Sequence, residues 1–225
     1  MKKDLKSLKN FCKEHEQHLI DGVNILLEGE RSHFRTYENA LKGHVCGRSS
    51  RVLGYLLETN GFDVKGYMTQ YLGWDYVDGG HIFLVVDLDE EVIVDSAYYQ
   101  FIDIFDLKED QMPQEDIMIV PYVELDEKID EFVELRNLRL RTHPNPEVLT
   151  HQKLECSSRR YNQSDQELHD YFKRIWDYRS DIYHEVPPSS LKNDIKRIRE
   201  GDDSITDLTR KVVNYLAKEN LIKED

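Results

Sequence analysis

Positive charge is scarce in this sequence. Thirty Lys and Arg stand against 44 Asp and Glu in 225 residues, a formal charge of −14. Phosphate recognition needs clustered Lys and Arg, so no nucleic-acid partner is expected. Docking on an anionic membrane surface is disfavoured for the same reason. A cationic substrate or a basic protein would be drawn to such a chain. Cysteine is also rare. Cys12, Cys46 and Cys156 are too few and too far apart for a disulfide framework, and no Cys-x-x-Cys pair offers zinc a site. Cys12 and Cys156 are expected to be plain free thiols. Met1-Lys2-Lys3 leads into charged residues, which predicts no signal peptide and a cytoplasmic location. No apolar run approaches the roughly 18 residues of a membrane span, so no membrane partner is expected. His15 and His18 lie three apart with no third ligand in sight, so neither a metal nor a cofactor is expected.

What is present is a helical start, a strand-rich middle and a helical end. Leu5, Leu8, Cys12, Leu19, Val23 and Leu26 recur at helical spacing behind Asp4, a plausible N-cap, and Asp21-Gly22 is read as a break or bend. Gly29 to Gly43 reads as a loop with at most a short helix. Val52, Leu53, Leu56 and Leu57 stripe a second helix that Asn60-Gly61 stops. From Phe62 to Val123 the period becomes that of strands: Phe62 to Leu72, His81 to Val86, Val92 to Asp95 and Ile117 to Val120. These are apolar on both faces, which predicts a sheet covered on each side, and short connections predict antiparallel pairing. Ser164 and Glu167 form a capping box for a helix carrying Leu168, Phe172, Ile175 and Ile182, ended by Pro187-Pro188. Ser190 and Thr206 begin two further helices. The change near Leu125 divides residues 1–125, an α+β catalytic core, from 126–225, a helical C-terminal extension.

Cys46 stands at the start of the second helix, where unpaired N–H groups and the helix dipole favour a thiolate. Gly47 behind it leaves room for a carbonyl, and the Cys46 and Gly47 amides are placed to serve an oxyanion. A cysteine nucleophile also needs an imidazole to take its proton and a carboxylate to orient the imidazole. His81 opens a buried strand after Gly79-Gly80, and Asp95 ends the next one. Their hairpin sets a condition. Side chains alternate, so His81 and Asp95 share a face only if paired residue numbers sum to an even value. Val86 opposite Val92 satisfies this and sets the two on a diagonal. His44, two residues before the cysteine, is read as an oxyanion donor, a rival base or a plain loop histidine. Tyr67, Tyr71, Trp74 and Tyr76 either line an acyl pocket or form an ordinary core and rim cluster. Tyr171, Trp176, Tyr178 and Tyr183 are read as packing.

The order Cys on a helix, His on a strand, Asp on the next strand resembles the core of the transglutaminase-like, papain-fold cysteine enzymes. The stretch from Gly43 to Phe101 carries it: His44-Val45-Cys46-Gly47-Arg48-Ser49-Ser50, Gly79-Gly80-His81-Ile82-Phe83-Leu84-Val85-Val86, and Val92-Ile93-Val94-Asp95. It is also similar to arylamine N-acetyltransferases, which have a Gly-Phe pair after the Cys helix (Gly61-Phe62 here) and a Val-Asp step. Their Arg-Gly-Gly before the cysteine is replaced by Gly43-His44-Val45. Where many transglutaminase-core proteins carry Trp after the His, this chain has Ile82-Phe83. The resemblance implies a papain-like α+β core with a Cys46-His81-Asp95 triad working through a thioester. The acyl donor would be a peptide, amide or thioester, and the acceptor water or an amine. Both hydrolysis and transfer stay open. So does a catalytically silent binding or scaffolding module for a basic protein, and a protein partner or homo-oligomer formed through the C-terminal helices.

Overall fold

Asp4 starts the first helix. Its carboxylate accepts from the Ser7 N–H at 2.7 Å while Ser7 Oγ accepts from the Asp4 N–H at 2.9 Å, a reciprocal cap. This helix, α1 (Leu5–Leu27), runs through Asp21-Gly22 without the expected interruption. A Cβ at Gly22 would lie 3.2 Å from Val52 Cγ1. The glycine there allows a second helix to approach closely. That helix, α2 (Cys46–Thr59), ends as its sequence predicts. Gly61 takes a φ of +78°, its N–H reaches the Glu58 carbonyl, and the Phe62 N–H reaches back to Leu57. This is the paired C-terminal closure that glycine permits.

The structure, a computed structural model, describes residues 3–28, 46–69, 81–102, 107, 111, 113, 115–151 and 161–222. The readings placed on Gly29 to Gly43, Tyr71, Trp74, Tyr76, Gly79-Gly80 and Cys156 lie outside them. Within the described residues the fold is α+β, eight helices on a five-stranded antiparallel sheet. The strands are β1 (Asp63–Thr69), β2 (His81–Asp87), β3 (Glu91–Asp95), β4 (Met118–Pro121) and β5 (Tyr183–Val186), in the order β4-β3-β2-β1-β5. β2 and β3 pair Val86 with Val92 and Leu84 with Val94, the even register, around a tight Leu88-Asp89-Glu90 turn. Continued by one step, that register sets Asp95 opposite Phe83 and diagonal to His81.

Both faces of the sheet are covered. On one, Leu84, Val86, Val92 and Val94 pack with α1, α2 and two late helices, α7 (Leu191–Arg199) and α8 (Asp207–Lys218). On the other, Phe83, Val85, Ile93 and Met118 pack with a short helix α3 (Tyr99–Ile102), with α4 (Leu125–Thr142) and with α6 (Asp165–Trp176). A brief α5 (Pro146–His151) follows α4. Each fully buried aliphatic side chain contributes roughly 1.5–3 kcal/mol, which explains why strands so uniformly apolar need cover on two sides.

Residues beyond 125 are built into this arrangement. Ser164 and Glu167 cap α6 reciprocally, as predicted. The helix does not reach Ile182, however. It stops at Trp176, and Tyr183–Val186 becomes β5, paired antiparallel with Gly66–Thr69 of β1. Ile182 falls on the helical stripe by number alone. The open backbone edge of β1 satisfies the Tyr183–Val186 amides and carbonyls instead. Farther on, Tyr215 of α8 donates to Asp21 of α1 at 2.9 Å, and Arg51 of α2 pairs with Asp194 of α7. The apolar stripes of α6, α7 and α8 are covered by the rest of this chain.

Candidate active site

The first turn of α2 lies against the start of β2. Ser50 Oγ donates to the Ile82 carbonyl at 3.2 Å, and a Cβ on Gly47 would meet Ile82 Cδ1 at 3.7 Å. This seats Cys46 beside His81. The even register of the β2–β3 hairpin turns Asp95 to the same side, and His81 Nε2 donates to Asp95 Oδ2 at 2.8 Å. Cys46 lies close enough to His81 to interact with it by charge and hydrogen bond. With Nε2 committed to Asp95, Nδ1 is the nitrogen left for that interaction. The sequence-expected Cys46, His81 and Asp95 thus converge, with exposures of 8%, 1% and 1%.

Asp95 is held from three directions. Oδ2 also accepts the indole N–H of Trp176 at 2.8 Å, and Oδ1 accepts the Ala97 amide at 2.8 Å. A buried carboxylate must find such donors, since an unpaired one is strongly disfavoured. Trp176 is fully buried at the end of α6 and meets Phe101 edge to face, their centroids 5.6 Å apart. Phe101 in turn meets the His81 ring at 4.8 Å, perpendicular to it. These contacts fix the plane of the imidazole and keep a proton on Nε2.

The electrostatics follow. Burial works against a charged His81, but Asp95 outweighs it through charge and hydrogen bond, with help from Cys46, and the ring is held protonated up to about 10. Burial likewise opposes a Cys46 thiolate. The hydrogen bond and charge of His81, and a hydrogen bond from the Ile82 amide, more than offset it, so the thiol ionises below its ordinary value. Cys12 shows the contrast: burial, joined by the Glu16 charge, pushes its thiol up to about 12.

The remaining expected residues separate. Gly47 is in place in the first turn of α2. His44, Trp74 and Tyr76 lie outside the described residues. Tyr67 packs on Phe83 and Tyr178 in the second core. His15 donates from Nδ1 to the Phe11 carbonyl at 3.1 Å and stacks on that ring, and no group of three or more metal-ligating side chains occurs among the described residues. A cavity of about 270 Å³ between Cys12 and Ile117 is lined by none of the three central residues.

Three contributors were not legible. Trp176 reads as packing, although a buried indole generally requires an acceptor for its N–H. Gln100, whose Nε2 lies 3.0 Å from His81 Nδ1, is the one residue whose side chain is neither aromatic nor aliphatic in Tyr98-Tyr99-Gln100-Phe101-Ile102. That interruption is its only signal. The Ile82 amide carries none, being backbone.

Comparison with family models, with curated proteins and with solved structures finds no match to this chain. No helix among the described residues is long and apolar enough to cross a membrane.

Proposed function

We propose that this chain is a cysteine enzyme of the transglutaminase-like, papain-fold kind, which moves acyl groups through a thioester on Cys46. The observation that carries this reading is a buried His81 that donates to an Asp95 held by three donors and, from the same place, lowers the pKa of the Cys46 thiol. A structural histidine needs one partner at each nitrogen. It does not need a thiol whose ionisation it promotes.

In this mechanism the Cys46 thiolate attacks the carbonyl carbon of an amide or thioester. The first-turn amides of α2, Cys46 and Gly47, face the developing oxyanion. The Nδ1 proton of His81 passes to the leaving group, and the carbon–heteroatom bond breaks to leave a thioester. Water or an amine then attacks the thioester carbon. His81 Nδ1 takes its proton, the carbon–sulfur bond breaks and the thiolate–imidazolium pair is restored. Asp95 keeps Nε2–H in place throughout. Water as acceptor gives a hydrolase, such as a protease or deamidase; an amine gives a transferase.

The test uses p-nitrophenyl acetate as an activated donor, followed by peptide mass spectrometry. An acetyl group on Cys46, absent from Cys46→Ser and His81→Gln and shed faster when an amine is added, is the expected result. Acetylation of Cys46 no greater than that of Cys12 would leave the binding-module reading in possession.

A further inference from the structure

Gln100 Nε2 lies 3.0 Å from His81 Nδ1, the nitrogen that Asp95 leaves for the Cys46 proton. An imidazole nitrogen carries a single in-plane site, either a lone pair or a proton, so Cys46 and Gln100 compete for it. Gln100 is not there by accident of a mobile side chain. It sits in α3, its own N–H bonded to the Ala97 carbonyl at 3.2 Å, five residues after Asp95. The Tyr99 hydroxyl, bonded to the Pro113 carbonyl at 2.5 Å, and the Phe101 ring, set edge-on against His81, anchor it on either side. One short segment therefore supplies the carboxylate for Nε2 and the carboxamide for Nδ1.

We propose that Gln100 restrains the nucleophile: its carboxamide N–H takes the Nδ1 lone pair of neutral His81 and so holds part of the site as uncharged thiol and imidazole. This rests on the cysteine-enzyme reading above and adds a regulator to that same site. The step it controls is internal. The Sγ–H bond breaks, the electron pair stays on sulfur and the proton forms Nδ1–H. An N–H aimed at Nδ1 stabilises only the left side of that exchange, because it faces a lone pair there and another N–H on the right. The other titratable groups facing His81 among the described residues are Asp95 from β3 and Cys46 from α2, with the Tyr183 phenol of β5 near enough to feel both charges. None of these competes for Nδ1 except Cys46. Gln100 is a positioning residue that sets how much of the ion pair exists before substrate arrives.

The experiment is the second-order rate of Cys46 alkylation by iodoacetamide from pH 5 to 9, read by peptide mass spectrometry, in the full chain and in Gln100→Met. Methionine keeps the length and removes both donors. The plateau rate below pH 8 should rise, by at most about fivefold, the worth of one neutral hydrogen bond, and by less the more of the ion pair already exists in the unmodified chain. A merely structural role would lower the rate or leave it alone, and either result in a folded Gln100→Met protein overturns the proposal. A second variant guards against poor folding. In Gln100→Glu an acceptor replaces the donor, so the His81 imidazolium, followed by ¹⁵N NMR, should persist to higher pH, and an unchanged titration there counts against Gln100. If the cysteine-enzyme reading itself is wrong, the unmodified chain shows no plateau below pH 8, which tells the two failures apart.

Discussion

Replacing Asp95 with Asn removes a charge and leaves one acceptor oxygen where the site presents three donors. His81 Nε2 and Trp176 Nε1 both point at Oδ2, and the Ala97 amide points at Oδ1. If the Asn oxygen takes the Oδ2 place, only Ala97 is left facing an NH₂, at about 1–3 kcal/mol for one buried unsatisfied group. If it takes the Oδ1 place, two donors are opposed and His81 must adopt the wrong tautomer. The first arrangement wins by about one such group, roughly tenfold or more. Asp95→Asn should therefore keep the productive tautomer and lose about a hundredfold in Cys46 acylation by p-nitrophenyl acetate. That is well short of the loss of about 10⁴ seen when a triad tautomer inverts. Trp176→Phe alone removes one charged hydrogen bond, worth about tenfold. In the double variant nothing holds the amide oxygen on the Oδ2 side, and the loss should approach about 10⁴, exceeding the product of the single losses. A cycle in which the losses simply multiply refutes the claim that Trp176 dictates how residue 95 presents itself to His81.

The pH dependence of stability has a defined shape. His81, raised from 6.5 to about 10, contributes stability that is full below 6.5 and lost as pH rises through about 10; Cys46, lowered from 9.0, contributes stability present above 9.0 and lost as pH falls. Between about 6.5 and 9 the folded pair and the unfolded pair each hold one proton, so the contribution is level. The melting-temperature difference between the unmodified chain and Cys46→Ser/His81→Gln should be constant there and shrink on both sides; a steady slope across that window contradicts the ion pair. Glu16, raised to about 7 chiefly by its hydrogen bond to Asp116, contributes stability below its unfolded value of 4.5 that is lost as pH rises through about 7. Glu16→Gln should accordingly gain on the unmodified chain above pH 7, by thermal melts, and show no such gain in acid. Gly54→Ala should destabilise despite the better helix propensity of Ala, about 1 kcal/mol, since its Cβ would lie 2.3 Å from the Pro188 carbonyl oxygen; a more stable Gly54→Ala protein in denaturant titration shows that Pro188 yields. Truncation after Val186 removes α7 and α8 from the core that holds Leu8, Leu19 and Val23, and the product should be insoluble; a soluble, folded truncation with unchanged Cys46 labelling separates these helices from the site.

The sequence carried the parts of this site that obey a period. Alternation along His81–Asp87 and Glu91–Asp95, with an even register, is enough to set His81 and Asp95 on one face. Helical spacing put Cys46 at the start of α2, and capping chemistry placed the starts of α1 and α6. What stayed hidden depends on contacts with no period. Trp176 meets Asp95 across 81 positions of sequence, and its helical spacing with Phe172 only announces a buried face. β5 reads as helix because Tyr183-His184-Glu185-Val186 has no strand alternation, and its conformation comes from the backbone edge of β1. Gly22 looks like a breaker until Val52 is seen against it.

The central claim is that Cys46 is a thiolate made by His81. Its most direct test is the rate of iodoacetamide labelling at pH 6, with Cys12 in the same chain as the internal reference. Cys46 should label readily at that pH and Cys12 should not, and in His81→Gln, where burial is left to disfavour the thiolate, the Cys46 rate should fall to or below that of an ordinary thiol with a pKa near 8.5. Labelling of Cys46 at pH 6 that is no faster than such a thiol, or that survives the loss of His81, contradicts the account.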